Sequence, residues 1–322
     1  MNLKNIIIAA VAGLMILSLN GCSLLKKRVE KKENVKYTLN GNDKTSIHID
    51  NINGRINVTN SSDTNGVIKI EAEIIADVKH DEQDKPIDNV KIKIDSAGND
   101  IKIETEINNT SSGMFRKNNN AVVNYDIKIP ANMKVYTETV NGSITIAGIN
   151  NDIKVETVNG KINVLNCPGK IDIEGVNGTV ICNVDSVTAG INISVTNGDI
   201  KVGGLKNVNA DVSASTIHGK VTIKELEFSE LNNERKSVSG ILGKGGSQIR
   251  IDAVNGRITL DASKYLPKKD DSFEFKIDFD DEPIIIEGKE NKNGDIDIRI
   301  GKDDKEKNDD KQADSVKRPE NK

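Results

Sequence analysis

The sequence predicts an all-β fold: a β-solenoid with coils of about eighteen residues, capped by β-rich N- and C-terminal segments. Three observations predict it. Asn-Gly pairs recur at Asn141-Gly142, Asn159-Gly160, Asn177-Gly178 and Asn197-Gly198, eighteen residues apart except for two extra residues before the last. Between them the apolar residues fall into columns, with Ile144, Ile146, Ile149, Ile153, Val155 and Val158 recurring as Ile162, Val164, Cys167, Ile171, Ile173 and Val176. That spacing matches no helical period and reads as short strands broken at glycine corners. Finally, a period near twenty residues is a signature of stacked repeats.

Stacking turns the period into contacts. Coils stacked as parallel strands about 4.8 Å apart make residues one repeat apart cross-strand neighbours, so the four asparagines should form a ladder. The glycine after each is expected to supply the positive φ of a sharp corner. Six inward aliphatic side chains per coil, Val158 and Val176 among them, order a coil only when neighbours cover both its ends.

The chain begins with Lys4, an apolar run from Ile6 to Leu19, and Leu19-Asn20-Gly21-Cys22. The run is short for a membrane span and suits a cleaved targeting segment. Its ending resembles the lipobox of bacterial lipoproteins, which implies a signal peptide over residues 1–21 and a diacylglyceryl thioether on Cys22. The alternative is an ordinary signal peptide or an uncleaved anchor. A lipidated Cys22 would hold the chain on a membrane, facing outside the cytoplasm in the cell envelope. Ser23 would permit outer-membrane sorting in a two-membrane bacterium, whereas a one-membrane bacterium offers a single site.

Residues 22–35 form a basic tether with Lys26, Lys27, Arg28, Lys31 and Lys32 against Glu30 and Glu33. Such a segment either lies on anionic head groups or is a solvated spacer. Residues 36–131 alternate with period two without repeating regularly, as at Ser46–Ile49, Val90–Ile94 and Val123–Pro130, and read as a β-rich cap that begins the coils. The solenoid with its closing strands occupies 132–300. Within it Asp199–Val202 opens a coil that Val208–Ser215 continues, and His218-Gly219 repeats the corner. A longer excursion over Lys224–Gly246 precedes Asn255-Gly256, and Ser272–Ile277, Glu282–Ile286 and Asp295–Ile300 look like closing strands. Residues 301–322 form a charged tail whose Lys302–Lys322 stretch holds seven basic and seven acidic residues, a composition expected to be disordered.

The amphiphilic strand ending in Pro130, the repeated Thr-x-Asn-Gly-x-Ile units and the block from Gly243 to Ile258 together resemble the DUF4097 β-strand-repeat family, which carries an adhesin label. The resemblance spans roughly residues 36–300. It implies a single-stranded, right-handed β-helix and envelope association, and it implies no catalytic residues. The Lys224–Gly246 excursion and the acidic C-terminal strands depart from the family pattern.

Composition narrows the chemistry. With 45 basic and 49 acidic residues the net charge is −4, which gives no general attraction to nucleic acid. If Cys22 is lipidated, Cys167 and Cys182 remain; an even pair outside the cell invites a disulfide, but the two fall in different inward columns and read as buried thiols. Glu156 over Glu174 is the best acid pair for catalysis, with Lys154 beside it; the plain reading is a solvated pair. Asp278, Asp280, Asp281 and Glu282 suggest either a weak Ca²⁺ site or charges that guard an edge strand. His48, His80 and His218 are scattered, without zinc spacing, and Gly243-Lys244-Gly245 lacks the residues of a phosphate loop. No metal or cofactor is expected, and no enzyme.

The expected function is therefore an adhesin-like binding module presenting a rigid surface to a protein or an envelope or surface polymer. An envelope-stress or regulatory lipoprotein acting on the cell's own surface is the alternative, and a carbohydrate-active enzyme the third. The residues singled out are Cys22 for lipidation and the turn ladder of Asn141, Gly142, Asn159, Gly160, Asn177, Gly178, Asn197, Gly198, Asn255 and Gly256.

Overall fold

The computed structural model describes residues 28–61, 66–80, 84–108 and 121–265, together with strands 275–279, 282–290 and 296–302. Cys22 and the targeting segment lie outside the described residues. The described part falls into two units divided after Lys264.

The first unit is a stack of eight levels, each contributing one strand to each of two sheets, and in seven of them the strand of the first sheet is the longer. Four central levels follow the repeat: β8 (Lys134–Asn141) with β9 (Ile144–Ala147), β10 (Ile153–Asn159) with β11 (Ile162–Leu165), β12 (Ile171–Asn177) with β13 (Val180–Asn183), and β14 (Ile191–Asn197) with β15 (Ile200–Gly203). All their pairings are parallel and in register, so Ile153 stands opposite Ile171 and Ile162 opposite Val180. A lateral column of buried side chains follows, running Ile101, Ile47, Val135, Ile153, Ile171, Ile191, Ile249 and Val212 through the longer strands. In the shorter strands Ile56, Ile144, Ile162, Val180, Ile200, Ile258 and Val221 form its counterpart. β-branched residues dominate because a pleated surface accommodates their stiff side chains.

The level order departs from the chain order at both ends. At one end β2 (Ser46–Asn53) and β3 (Ile56–Asn60) lie against β8 and β9, and β6 (Asp100–Ile107) and β7 (Val122–Ile129), later in the chain, cover their outer side. At the other end β16 (Ala210–His218) and β17 (Val221–Lys224) do not follow β14 and β15. The last coil in sequence, β20 (Ser247–Asn255) with β21 (Ile258–Asp261), is inserted between them. The expectation that Val208–Ser215 simply continues the coil opened at Asp199 is corrected accordingly. Both segments carry the same inward apolar pattern, Val212 and Ala214 in one and Ile249 and Ile251 in the other, so local pattern cannot decide which one neighbours β14.

Antiparallel strands close the stack. β4 (Val67–Lys79) pairs with β7, and β1 (Arg28–Asn40) pairs with β4 over thirteen residues from Arg28 to Asn40. Part of the basic segment read as a tether is thus strand, and it is partly neutralised by Lys31–Glu33 at 2.8 Å and Lys32–Glu30 at 3.8 Å. β5 (Val90–Asp95) covers β6. The excursion after Lys224 forms a hairpin, β18 (Phe228–Asn233) and β19 (Ser237–Leu242), whose second strand covers β16.

In the second unit β22 (Phe275–Phe279), β23 (Glu282–Glu290) and β24 (Ile296–Lys302) form their own antiparallel sheet. The strands expected at Ser272–Ile277, Glu282–Ile286 and Asp295–Ile300 correspond to these three, which pair with one another. Asp280 and Asp281 lie outside the described residues, as do the side chains of Asp278 and Glu282. The disorder expected of the charged tail concerns residues outside those described, apart from the strand end at Lys302.

Truncating Ile173, fully buried at the centre of the stack, should cost roughly 2–5 kcal/mol because neighbours on two ladders cannot collapse into the gap. Guanidinium unfolding of Ile173→Ala, with the midpoint falling and the slope unchanged, is the measurement.

Candidate binding surface

In six levels the longer strand turns into its shorter partner at an Asn-Gly corner and in a seventh at His218-Gly219, and these corners stack. The Nδ2 of Asn141 donates to Oδ1 of Asn53 at 3.0 Å, Asn159 to Asn141 at 2.9 Å, Asn177 to Asn159 at 2.9 Å, Asn197 to Asn177 at 2.9 Å and Asn255 to Asn197 at 2.7 Å. An amide suits this column because it donates to one level and accepts from the next. His218 occupies the column beyond Asn255, and its carbonyl accepts the Gly256 N–H at 3.1 Å.

The corner glycines meet the expected backbone requirement at most corners and a second requirement at all of them. Gly54, Gly160, Gly178 and Gly198 have φ of 120°, 158°, 153° and 155°, in the region that favours glycine, whereas Gly142 and Gly256 lie outside it. At all of these corners contact also excludes a side chain. A Cβ on Gly178 would lie 1.6 Å from the carbonyl oxygen of Gly160, and one on Gly198 would lie 1.6 Å from that of Gly178.

Val158 and Val176 require a second correction. The pleat alternates strictly through Ile153, Val155 and Thr157, so Thr157 points inward and Val158 outward. The same parity exposes Ile52, Val140, Val158, Val176, Val254 and Ile217, and Thr196 holds the equivalent place on β14. The inward column beside them is polar in part: Thr139 and Thr157 are buried with no hydrogen-bond partner for their hydroxyls, whereas Thr105 meets the Tyr125 hydroxyl at 2.7 Å. An apolar residue of the wrong parity is the sequence signal that could have found the exposed row.

Two charged columns flank that row on the outer face of the longer sheet. The nearer runs Glu104, Asp50, Glu138, Glu156, Glu174, Ser194 and Asp252. The farther runs Lys102, His48, Tyr136, Lys154, Asp172, Asn192 and Arg250. Glu156 does stand over Glu174, but within a longer column rather than as an isolated pair, and Lys154 reaches Glu156 at 2.6 Å. That hydrogen bond, with the charge of Glu156, raises the Lys154 pKa. Arg250 pairs with Asp252 at 2.9 Å, and Lys102 lies 3.5 Å from Asp50 and 3.7 Å from Glu104. Among the described residues Glu138 and Glu174 make no ion pair within 4 Å. The rings of His48 and Tyr136 stack with centroids 4.5 Å apart.

Past the corner, Arg257 grips Asp199, with Nη2 at 2.8 Å from the carboxylate and the backbone N–H at 2.9 Å. Partial burial favours the protonated acid, but the hydrogen bonds and charge of Arg257 outweigh it and hold the carboxyl below its ordinary value.

Cys167 and Cys182 are buried free thiols. Burial pushes Cys167 up to about 11 and Cys182 higher still. Among the described residues no group of three His, Cys, Asp or Glu side chains is placed to hold a metal ion, and no helix is long and apolar enough to cross a membrane.

The sequence profile of the Toastrack DUF4097 family matches residues 26–261. No curated protein matches the chain. Among solved structures, a candidate cell adhesion protein from Clostridium sporogenes is similar at 14% identity, covering 72% of this chain and 99% of that one with a TM-score of 0.42. A candidate adhesin from Bacteroides fragilis is similar at 14% identity over 71% and 96% of the two chains, with a TM-score of 0.29.

Gly178→Ala should destabilise by more than about 3 kcal/mol through its clash with the Gly160 carbonyl. Gly175→Ala, whose Cβ would meet only Val195 at 3.6 Å, should stay within about 0.5 kcal/mol of wild type; urea midpoints compare the two. Asp199 contributes stability that is present above the unfolded carboxylate value of about 3.9 and lost as pH falls through the lower folded value. The stability deficit of Asp199→Asn should therefore shrink as pH falls below about 4 in paired melts at pH 3 to 7.

Proposed function

The chain belongs to the Toastrack DUF4097 family, and from that premise we propose that it is a non-enzymatic, adhesin-like binding protein that presents the outer face of its longer sheet to a macromolecular partner. One observation carries the reading. Six exposed aliphatic side chains and a row of carboxylates lie at fixed register across seven consecutive levels, on backbone paired on both sides. Such a face is rigid, extended and repetitive, which suits recognition of a long surface better than enclosure of a small substrate.

In this reading a lipid on Cys22 holds the protein at the cell envelope, outside the cytoplasm, and the coils wind as a right-handed, single-stranded β-helix apart from the interleaved ends. Right-handed crossover is the general rule for parallel strands and supports that hand. The envelope-regulatory alternative drew on the basic segment beside the anchor. Arg28, Lys31 and Lys32 now belong to β1, which leaves Lys26 and Lys27 for that role.

Co-sedimentation of the full chain with purified cell walls, with anionic vesicles and with foreign cell surfaces, at low and moderate salt, tests the proposal. Saturable and reversible retention on one of these is expected. Time-dependent release of a glycan product, abolished in Glu156→Gln/Glu174→Gln, would overturn it in favour of an enzyme.

A further inference from the structure

The aliphatic row and the acidic column beside it select a partner by shape and by charge. Between Ile52 and Val176 the row is unbroken over four levels, at 36–43% exposure, and it resumes after Thr196 with Val254 and Ile217. At about 4.8 Å per level the seven levels span about 29 Å. Across the two flanking columns seven carboxylates face three cations, Lys102, Lys154 and Arg250, and Glu138 and Glu174 have no ion pair at the centre of the row.

We propose that this face docks a cationic amphipathic helix of a polypeptide partner, with the helix lying along the stack, its aliphatic stripe on Ile52, Val140, Val158 and Val176 and its cations over Glu138 and Glu174. The proposal rests on the binding-protein reading and names the partner class for it. Three arguments choose this occupant. The strands beneath the face are hydrogen-bonded on both sides, so a partner finds only side chains there and must bring a backbone whose own hydrogen bonds are satisfied, as a helix does. Helical turns repeat at about 5.4 Å, near the level spacing, whereas same-face residues of an extended strand repeat at about 6.6–6.8 Å. About 19 helical residues would cover the row. The charge excess excludes the other candidates: a second copy would bring an identical anionic face, and anionic lipid or a polyanion would be repelled.

Thr196 shows that a threonine is accommodated in the row, so Val140→Thr/Val158→Thr/Val176→Thr removes the aliphatic surface while keeping the fold, which an unchanged unfolding midpoint verifies. The probe is an 18-residue helical peptide of leucine and lysine, its leucines on one stripe, labelled and titrated with the full chain by fluorescence anisotropy. Saturable binding that weakens about tenfold in the triple threonine variant, weakens at least about threefold in Glu138→Gln/Glu174→Gln and falls with added salt is expected. Equal binding of a sequence-scrambled peptide of the same charge, or undiminished binding to both variants, would overturn the proposal. So would self-association of the wild-type chain that the threonine variant abolishes, since a second copy would then occupy the face. Envelope retention that persists without any peptide binding would remove this partner class and leave the binding-protein reading standing; absence of retention on every surface falls on that reading instead.

Discussion

Backbone contact between glycines at stacked corners is the constraint on which the rest of this structure depends. The carbonyl of one corner sits where the next corner's Cβ would be, so successive levels settle at the spacing of a parallel sheet without a bulge at the turn. Once that spacing holds, other contacts follow from it. Asparagine side chains fall within hydrogen-bonding distance of one another, β-branched side chains meet in interior columns on both sheets, and outward residues form rows. A larger corner residue would wedge the levels apart and weaken all of these contacts together.

The repeat produces a surface as directly as it produces a core. Identical parity at each level aligns the outward valines just as it aligns the inward isoleucines, and the carboxylates at Glu138, Glu156 and Glu174 align for the same reason. Rows of like charge at sheet spacing are unfavourable, and the face relieves only part of that repulsion, through Lys102 at Asp50 and Glu104, Lys154 at Glu156 and Arg250 at Asp252. The remainder is free energy that a cationic partner can recover.

Much of this was legible in the sequence. Residues that recur at the repeat spacing, such as Ile153 and Ile171 or Asn159 and Asn177, are the ones that meet, because in a parallel stack the repeat length is the register. What stayed hidden has definite causes. Hydrophobicity suggested an inward Val158, but the pleat assigns faces by parity. Glycine at the corners suggested a special backbone angle, which holds at Gly160, Gly178 and Gly198, but the room each corner needs for a neighbouring carbonyl emerges only on stacking. The order of levels could not be read because the segments beginning at Ala210 and at Ser247 offer interchangeable inward patterns, and only long-range pairing distinguishes them.

The interleaved end has a mechanical meaning. In a simply wound coil the last turn is also the outermost, so a pull on the chain there unwinds it one ladder at a time, as thread leaves a spool. Here β20 and β21, the last strands before Lys264, are clasped between β14 and β15 on one side and β16 and β17 on the other, and drawing them out breaks ladders on both flanks together. Load arriving from the C-terminal side would therefore meet the interior of the stack first, and the outermost level, stitched in by chain on both its ends, would stay seated until that interior gave way.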